Sequence, residues 1–358
     1  MTASLARPDS DATLDRVCEF LTTEIAPQAE RLDRDPAALR DAFFQLGERN
    51  LLCLKTGSPR TFRQFQMQIA RYSGALAFLQ TQHQSGAAFV VNSENETLKR
   101  EYLPQLASGQ KTVGVGFSHL RRRDVPVRAD RVTDGYEISG TVPWVTGWGT
   151  FAEFAIGAEL PDGSAVFGLV PLAEIRGEIA ISEPMALAAM TSTQTVAATL
   201  DRYLLADDKV LGEKPPGWID RSSRKNILGH AYFALGCARA GLDAIARAGE
   251  RRAGSARESP DRARERLDGQ LREVEIEIFA ADFKLADLVG YEARLELRAR
   301  AIELAGRCAQ AAIVATGGAA NILTNPAQRI YREALVYSVS GQTPDVMAAT
   351  LDRLSDRG

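Results

Sequence analysis

The spacing of apolar side chains changes twice along this chain, and those two changes limit what it can fold into. From residue 11 to 112 the spacing is helical: ATLDRVCEFLTTEIAPQAERLD puts Leu14, Val17, Leu21 and Ile25 on one face. AALRDAFFQLGERN and FRQFQMQIARYSGALAFLQTQHQSGAAFVV keep that period, and ENETLKREYLPQLASGQ adds a short helix, a Pro break and a turn. From 112 to 211 the period drops to two. TVGVGFS, DGYEISGTVPWVTGW, FAEFAIGAEL, DGSAVFGLVPL and QTVAATLDRYLL read as strands parted by Asp-Gly and similar turns, about six strands in all. After Pro215-Pro216-Gly217 the helical period returns, with long helices expected over 219–253, 259–295 and 297–315 and a last one from 344. The expected organisation is α+β: a helical domain at 1–111, a β domain at 112–212 and a helical bundle at 213–358.

A chain of 358 residues exceeds what one core usually serves, which fits several packed domains. With 45% hydrophobic and 25% charged residues it can bury a large core. A net charge of −3 gives no global pull toward nucleic acid or an anionic membrane, and no apolar run reaches transmembrane length. Neither a nucleic-acid partner nor a membrane is expected. The local Arg clusters read as solvated faces. Cys18, Cys53, Cys237 and Cys308 lack metal-ligand spacing and lie in apolar helical contexts. They read as buried free thiols in a reducing compartment, and with no secretory pattern the expected location is the cytoplasm. There is no metal-type Cys/His cluster and no Gly-x-Gly-x-x-Gly, so neither a zinc site nor a Rossmann fold has support.

Residues 316–343, TGGAANILTNPAQRIYREALVYSVSGQT, hold the densest pattern. A Gly-Gly turn leads through an Asn-Pro loop to a helix with Arg329, Arg332 and Glu333, then a break at Ser340-Gly341. This order resembles the C-terminal signature of the acyl-CoA dehydrogenase family, where a Gly-Gly turn precedes an Arg-Asp-Ala segment and a Tyr-Glu-Gly-Thr turn beside the flavin. Gly317-Gly318, Pro326, Arg332-Glu333-Ala334 and Thr343 fall in register without a gap. The resemblance covers nearly the whole chain. It implies an N-terminal helical domain, a middle β-barrel or sandwich domain and a C-terminal four-helix bundle.

Gly140-Thr-Val-Pro-Trp144-Val-Thr146 resembles the family's Gly-x-Lys-x-Trp-Ile-Thr strand. That likeness implies that Trp144 packs on the flavin ring and Thr146 sits near N5. A hydride acceptor needs one face open to substrate and the other sealed from water, which an aromatic wall provides. Upstream, Ser118 falls on the threonine of the family's Thr-Glu-Pro, and His119 replaces its glutamate. The Gly-Ser-Asp loop that should follow is absent, and LRRRD at 120–124 fills the space. It reads either as a surface turn or as a contact for a phosphate or carboxylate. GCARAGLD at 236–243 resembles the family's Gly-x-x-x-x-Ala-Leu-Asp helix. Counting on, Arg252 lands on the Arg that binds the cofactor pyrophosphate across a dimer interface. The implied cofactor set is Ser118, Trp144, Thr146, Arg252, Gly317, Gly318 and Thr343. The implied cofactor is FAD, with FMN as the alternative, and the implied assembly is a homodimer or homotetramer. Ser255-Ala256 and Val314 depart from the family's Phe-Gly and Gln.

Dehydrogenation next to a thioester needs a carboxylate to take the α-proton. The two positions from which the family supplies it are Gly341 and Asn226 here, and neither side chain is a base. Glu333 matches a structural Asp of the family and reads as a salt-bridge partner. Asp345, one turn past the break, is the remaining candidate. The flavin monooxygenases of the same fold need no such base and place His or Ser near the flavin. The chain has three histidines, His83, His119 and His230; His83 and His119 are candidates for that role. The expected catalytic set is therefore His119, His83 and Asp345. Three readings remain: an oxidoreductase acting on a CoA- or carrier-bound acyl thioester with an atypical base; a monooxygenase using reduced flavin and O2; and a non-catalytic relative. The first two imply an electron-transfer partner or a flavin reductase.

Overall fold

A computed structural model describes residues 10–284 and 289–355. Six helices come first: α1 Ser10–Phe20, α2 Ala29–Leu32, α3 Pro36–Glu48, α4 Pro59–Tyr72, α5 Gly74–Val91 and α6 Glu96–Leu106. Their starts are written in the sequence. Asp35 accepts from Ala37 N and Ala38 N with Pro36 behind it, and Ser58 and Ser73 cap α4 and α5 in the same way.

Eight strands follow: β1 Val113–Gly116, β2 Val127–Val132, β3 Gly135–Thr146, β4 Glu153–Glu159, β5 Ala165–Pro171, β6 Ile179–Ile181, β7 Thr195–Ala206 and β8 Val210–Lys214. They form one hydrogen-bonded sheet in the order β6-β7-β3-β2-β4-β5-β8, with β1 parallel on β4. Three of them, β2, β6 and β8, lie outside the five segments named from the alternation: β6 and β8 are short, and β2, VRADRV, has only three apolar residues among its charges. Between Val142 and Val145 the register of β3 on β7 shifts, so Pro143 and Trp144 together face the single Ala197. Pro143 has no N–H to give the ladder, which places the bulge there.

The chain ends in α7 Trp218–Lys225, α8 Ala231–Glu250, α9 Ser255–Phe279, α10 Tyr291–Thr316, α11 Pro326–Val339 and α12 Pro344–Ser355. Helices α8 to α11 pack on one another, and α12 lies on α10. Small residues allow this closeness: a Cβ on Gly241 of α8 would lie 2.8 Å from the Cys308 backbone of α10. Arg71 of α4 grips Asp243 of α8 through two hydrogen bonds of 2.7 and 2.8 Å, which joins the first helices to the last. The expected helix 219–253 is broken at Asn226–His230 by a tight turn, in which Gly229 N donates to Asn226 O. The expected helix 259–295 runs across 285–288, which lie outside the described residues. Cys237 and Cys308 are buried free thiols, but Cys18 and Cys53 are only half-buried, and Cys53 sits in a turn. Among the described residues no helix is long and apolar enough to cross a membrane.

Candidate functional site

A cavity of about 560 Å³ opens where the helices meet the sheet. Its sheet wall carries Trp144 and Thr146 of β3, Thr195 of β7 and Ser118. Trp144 and Thr146 are two apart and share a face. The bulge turns the Trp144 indole outward, leaving it 48% exposed although it lies within a strand. Thr146 is buried and shares a 2.9 Å hydroxyl contact with Thr195.

The segment from Leu187 to Thr193 forms the rim. Met190 and Gln194 there adopt φ of 56° and 47°, a left-handed backbone that must be held. Asp33 holds it: Met190 N donates to Asp33 Oδ1 at 2.9 Å, and Arg332 pairs with Asp33 Oδ2 at 2.7 Å while donating to Ala188 O. Arg332 of the Gly-Gly signature thus ties the rim to α11. Beside it, Glu333 accepts from Arg329 at 2.6 Å and from Gly74 N at 3.0 Å, a salt bridge within the core.

The helical wall carries Lys55, Arg63 of α4, Ser85 of α5, the break at Asn226–His230 and the turn at Ser340-Gly341. Two cavity features meet there. Gly341 has φ of 58°, and a Cβ added to it would lie 2.6 Å from His230 Nε2. The imidazole therefore occupies the space into which any side chain at 341 would grow. Arg298, 2% exposed, locks both pieces by donating to Ile227 O, Ser340 O and Gly341 O at 2.9, 2.6 and 3.1 Å. His230 Nδ1 is buried without a hydrogen-bond partner. Burial first, and then Arg298, Arg121, Arg63 and Lys55, hold this histidine well below its ordinary pKa, so it is neutral. Asn226 Oδ1 accepts from Arg63 Nη2 at 2.6 Å. Among the described residues no Asp or Glu lines the cavity.

The structure places the expected residues in separate surroundings. Ser118, Trp144 and Thr146 converge on the cavity. Arg252 lies in a second groove with Val314, Tyr331 and Leu335, where its Nη1 donates to Ala248 O. Gly317 and Gly318 sit at the end of α10, where a Cβ on either would meet nothing. Thr343 Oγ1 accepts from Val346 N at the start of α12. None of the three expected catalytic side chains lines the cavity. His83 is fully buried, donates from Nε2 to Leu106 O and accepts from Val113 N at Nδ1, so both ring nitrogens are used. His119 donates from Nε2 to Gly157 O, and its Nδ1 is buried and unpartnered. Burial pushes both histidines down to about 4. Asp345 accepts from Tyr291 Oη at 2.8 Å and from Arg224 at 3.3 Å. His230 and Lys55 are the residues the sequence reading passed over. The signal for His230 was its place four residues after Asn226; Lys55, alone in a turn, gave none.

Residues 7–110 match the family described as "Acyl-CoA dehydrogenase, N-terminal domain". The N-terminal sequence is thus similar to that family's, and the fold of the whole chain is that of the acyl-CoA dehydrogenases. Mitochondrial isovaleryl-CoA dehydrogenase of Bos taurus is 28% identical over 145 residues, covering 36% of this chain and 34% of that protein. The match thus spans about a third of the curated relative's length. Butyryl-CoA dehydrogenase from Megasphaera elsdenii superposes with a TM-score of 0.78 at 16% identity over 97% of this chain and 98% of that one. Glutaryl-CoA dehydrogenase from Mycobacterium smegmatis in complex with FADH2 gives 0.79 at 18% identity over 97% and 95%.

Proposed function

We propose that this chain is a flavin-dependent oxidoreductase that oxidises the CH–CH bond of an acyl thioester, with His230 in place of the family's carboxylate base. The observation that carries the reading is Trp144, an indole turned by a bulge onto a cavity whose far wall ends at Gly341 and His230. A planar ring fits that exposed indole face, and the hydroxyls of Thr146, Thr195 and Ser118 border it. A flavin bound there supplies a hydride acceptor. The chain then has three tasks. Trp144 excludes water from one face of the ring. Thr146 donates toward it. His230 presents a neutral nitrogen to the α-proton from the place where the family's side chain begins. We take the cofactor to be FAD, since Arg252 lines the groove in which the family's pyrophosphate ligand is expected.

One feature favours a second reading. The cations that keep His230 neutral also make it a weak proton acceptor. A monooxygenase using reduced flavin and O2 asks only a hydrogen bond of that residue. Anaerobic titration separates the two. Bleaching of the bound flavin by an acyl-CoA, lost in His230→Ala, supports dehydrogenation. No bleaching by any thioester, with product formed only when O2 and an NADH-dependent flavin reductase are added, supports the second reading.

The proposal includes a homodimer or homotetramer. Tyr331, Leu335 and Val339 of α11 and Met347, Leu351 and Leu354 of α12 are exposed apolar side chains at helical spacing. Light scattering on the purified protein tests this, and a monomer at micromolar concentration sinks it.

A further inference from the structure

Three cations around the cavity have no carboxylate within ion-pair distance among the described residues: Lys55, Arg121 and Arg298. Arg298 is consumed by backbone carbonyls, and Arg121, at the exposed mouth, donates only to Ser223 Oγ. Arg63 shares Asp282 with Arg294 and gives its other nitrogens to Asn226 and Gln66. Lys55 is different. It is half-buried inside the cavity, and the Nζ contact it makes is a neutral one, with Ser85 Oγ at 2.9 Å. An unpaired ammonium under cover is costly, and proteins ordinarily neutralise it with a carboxylate. Here burial, and then the charge of Arg63, pull Lys55 down to about 8. Among the described residues the cavity around it has no acidic side chain to answer these charges. The missing partner must arrive from outside.

We propose that Lys55 and Ser85 form a subsite for a carboxylate carried on the acyl chain of the substrate, so that the thioester handled here is that of a dicarboxylic acid. The chemistry of the wall selects this source. Lys55 and Ser85 lie among Phe62, Phe78 and Val115, so the anion reaches them at the end of an apolar chain. Arg121 at the mouth is free to meet a phosphate of the carrier group. A carboxylate accepts from the Lys55 ammonium and the Ser85 hydroxyl together, and such charge-assisted bonds are the strong ones. The inference rests on the reading of the cavity as an acyl-thioester site.

Calorimetric binding to the purified full chain tests it without turnover. Succinyl-, glutaryl- and adipyl-CoA are each compared with the methyl-ended thioester of the same length, butyryl-, valeryl- and hexanoyl-CoA. At least one carboxyl-ended member should bind about tenfold tighter than its methyl-ended twin. Lys55→Met should abolish that ratio by weakening only the carboxyl-ended ligand, and Ser85→Ala should reduce it, with melting curves confirming that both variants fold. Should Lys55→Met fail to fold, Lys55→Gln carries the same test. Equal binding of the twins, a ratio unmoved by these substitutions, or no thioester binding at all overturns the proposal. If inorganic pyrophosphate binds and Lys55→Met alone removes it, the subsite is a phosphate site and the proposal also falls. Preferred binding of the carboxyl-ended ligand without flavin bleaching would leave the subsite standing and sink the dehydrogenation.

Discussion

The two walls of the cavity differ in how they relate to the family pattern. On the sheet wall, Trp144, Thr146 and Ser118, which the resemblance groups together, line one cavity from a bulged strand and the turn beside it. On the helical wall the two positions where the resemblance expects a base hold Gly341 and Asn226, and cations and a neutral histidine fill the space. The difference teaches where a fold constrains chemistry. The sheet wall is fixed by backbone hydrogen bonds, so its face and register are inherited from the strand. The helical wall is made by two helix breaks, and side chains at breaks change without disturbing the core around them.

The contrast depends on a joint that holds the walls together. Asp33 is 1% exposed and bridges the Met190 backbone to Arg332 on α11. Arg332→Met removes one partner and leaves a buried carboxylate, which costs about 3–5 kcal/mol. Chemical denaturation should show that loss, and hydrogen exchange should rise first in 187–194. Parent-like stability would mean that the rim is held by something other than Asp33.

Next in size is an acid response. His83 joins α5 to the first residue of β1, and His119 joins the turn after β1 to β4. Each is held at about 4 in the folded chain against an ordinary value near 6.5. Between those values the unfolded chain binds a proton that the folded chain refuses. Stability is therefore fully present above 6.5 and lost as pH falls toward 4, by roughly 3 kcal/mol for each histidine. For His83 the reason is direct, because a protonated Nδ1 can no longer accept from Val113 N. His83→Gln should flatten the profile over this window. An unchanged slope would show that these rings are not what titrates.

The helical wall itself is tested by Gly341→Ala. The new Cβ meets His230 Nε2 and the backbone is left-handed, a combination worth about 2 kcal/mol. In a double-mutant cycle, His230→Ala should recover the crowding part and leave the backbone part. Full additivity would separate the two residues and undo the interlock.

The layout of helices, sheet and helices was legible because long periodic segments announce themselves, and the caps at Asp35, Ser58 and Ser73 sit on the residues that favour them. The sheet wall was legible because a strand keeps its motif contiguous: Trp144 and Thr146 are two residues apart in the sequence and on the wall. The helical wall was not. Lys55 with Arg63, His230 and Gly341 come from three distant segments, and only the packing brings them together. The break at Asn226–His230 hides inside a run of helical period, since four residues of tight turn barely disturb it. His83 and His119 drew attention by residue type. Three of their four ring nitrogens are committed to backbone carbonyls and an amide whose positions no local pattern reveals.

The smallest expected change in stability belongs to the sheet wall, and it is the sharpest test of the contrast. Trp144 is the one large apolar side chain of β3 that faces out and is about half exposed, so Trp144→Ala removes less buried area than a core truncation. The flavin-free protein should lose about 1 kcal/mol, well below the cost of a core truncation. If the indole is the wall for a flavin ring, the same substitution should strip flavin from the purified protein, read as loss of visible absorbance at equal protein. Lys55→Met should do the reverse, leaving flavin in place while changing which thioester binds. A Trp144→Ala protein that folds and stays yellow would move the cofactor off this wall. The division between a kept cofactor face and a rebuilt substrate face would then have to be drawn along some other line in the cavity.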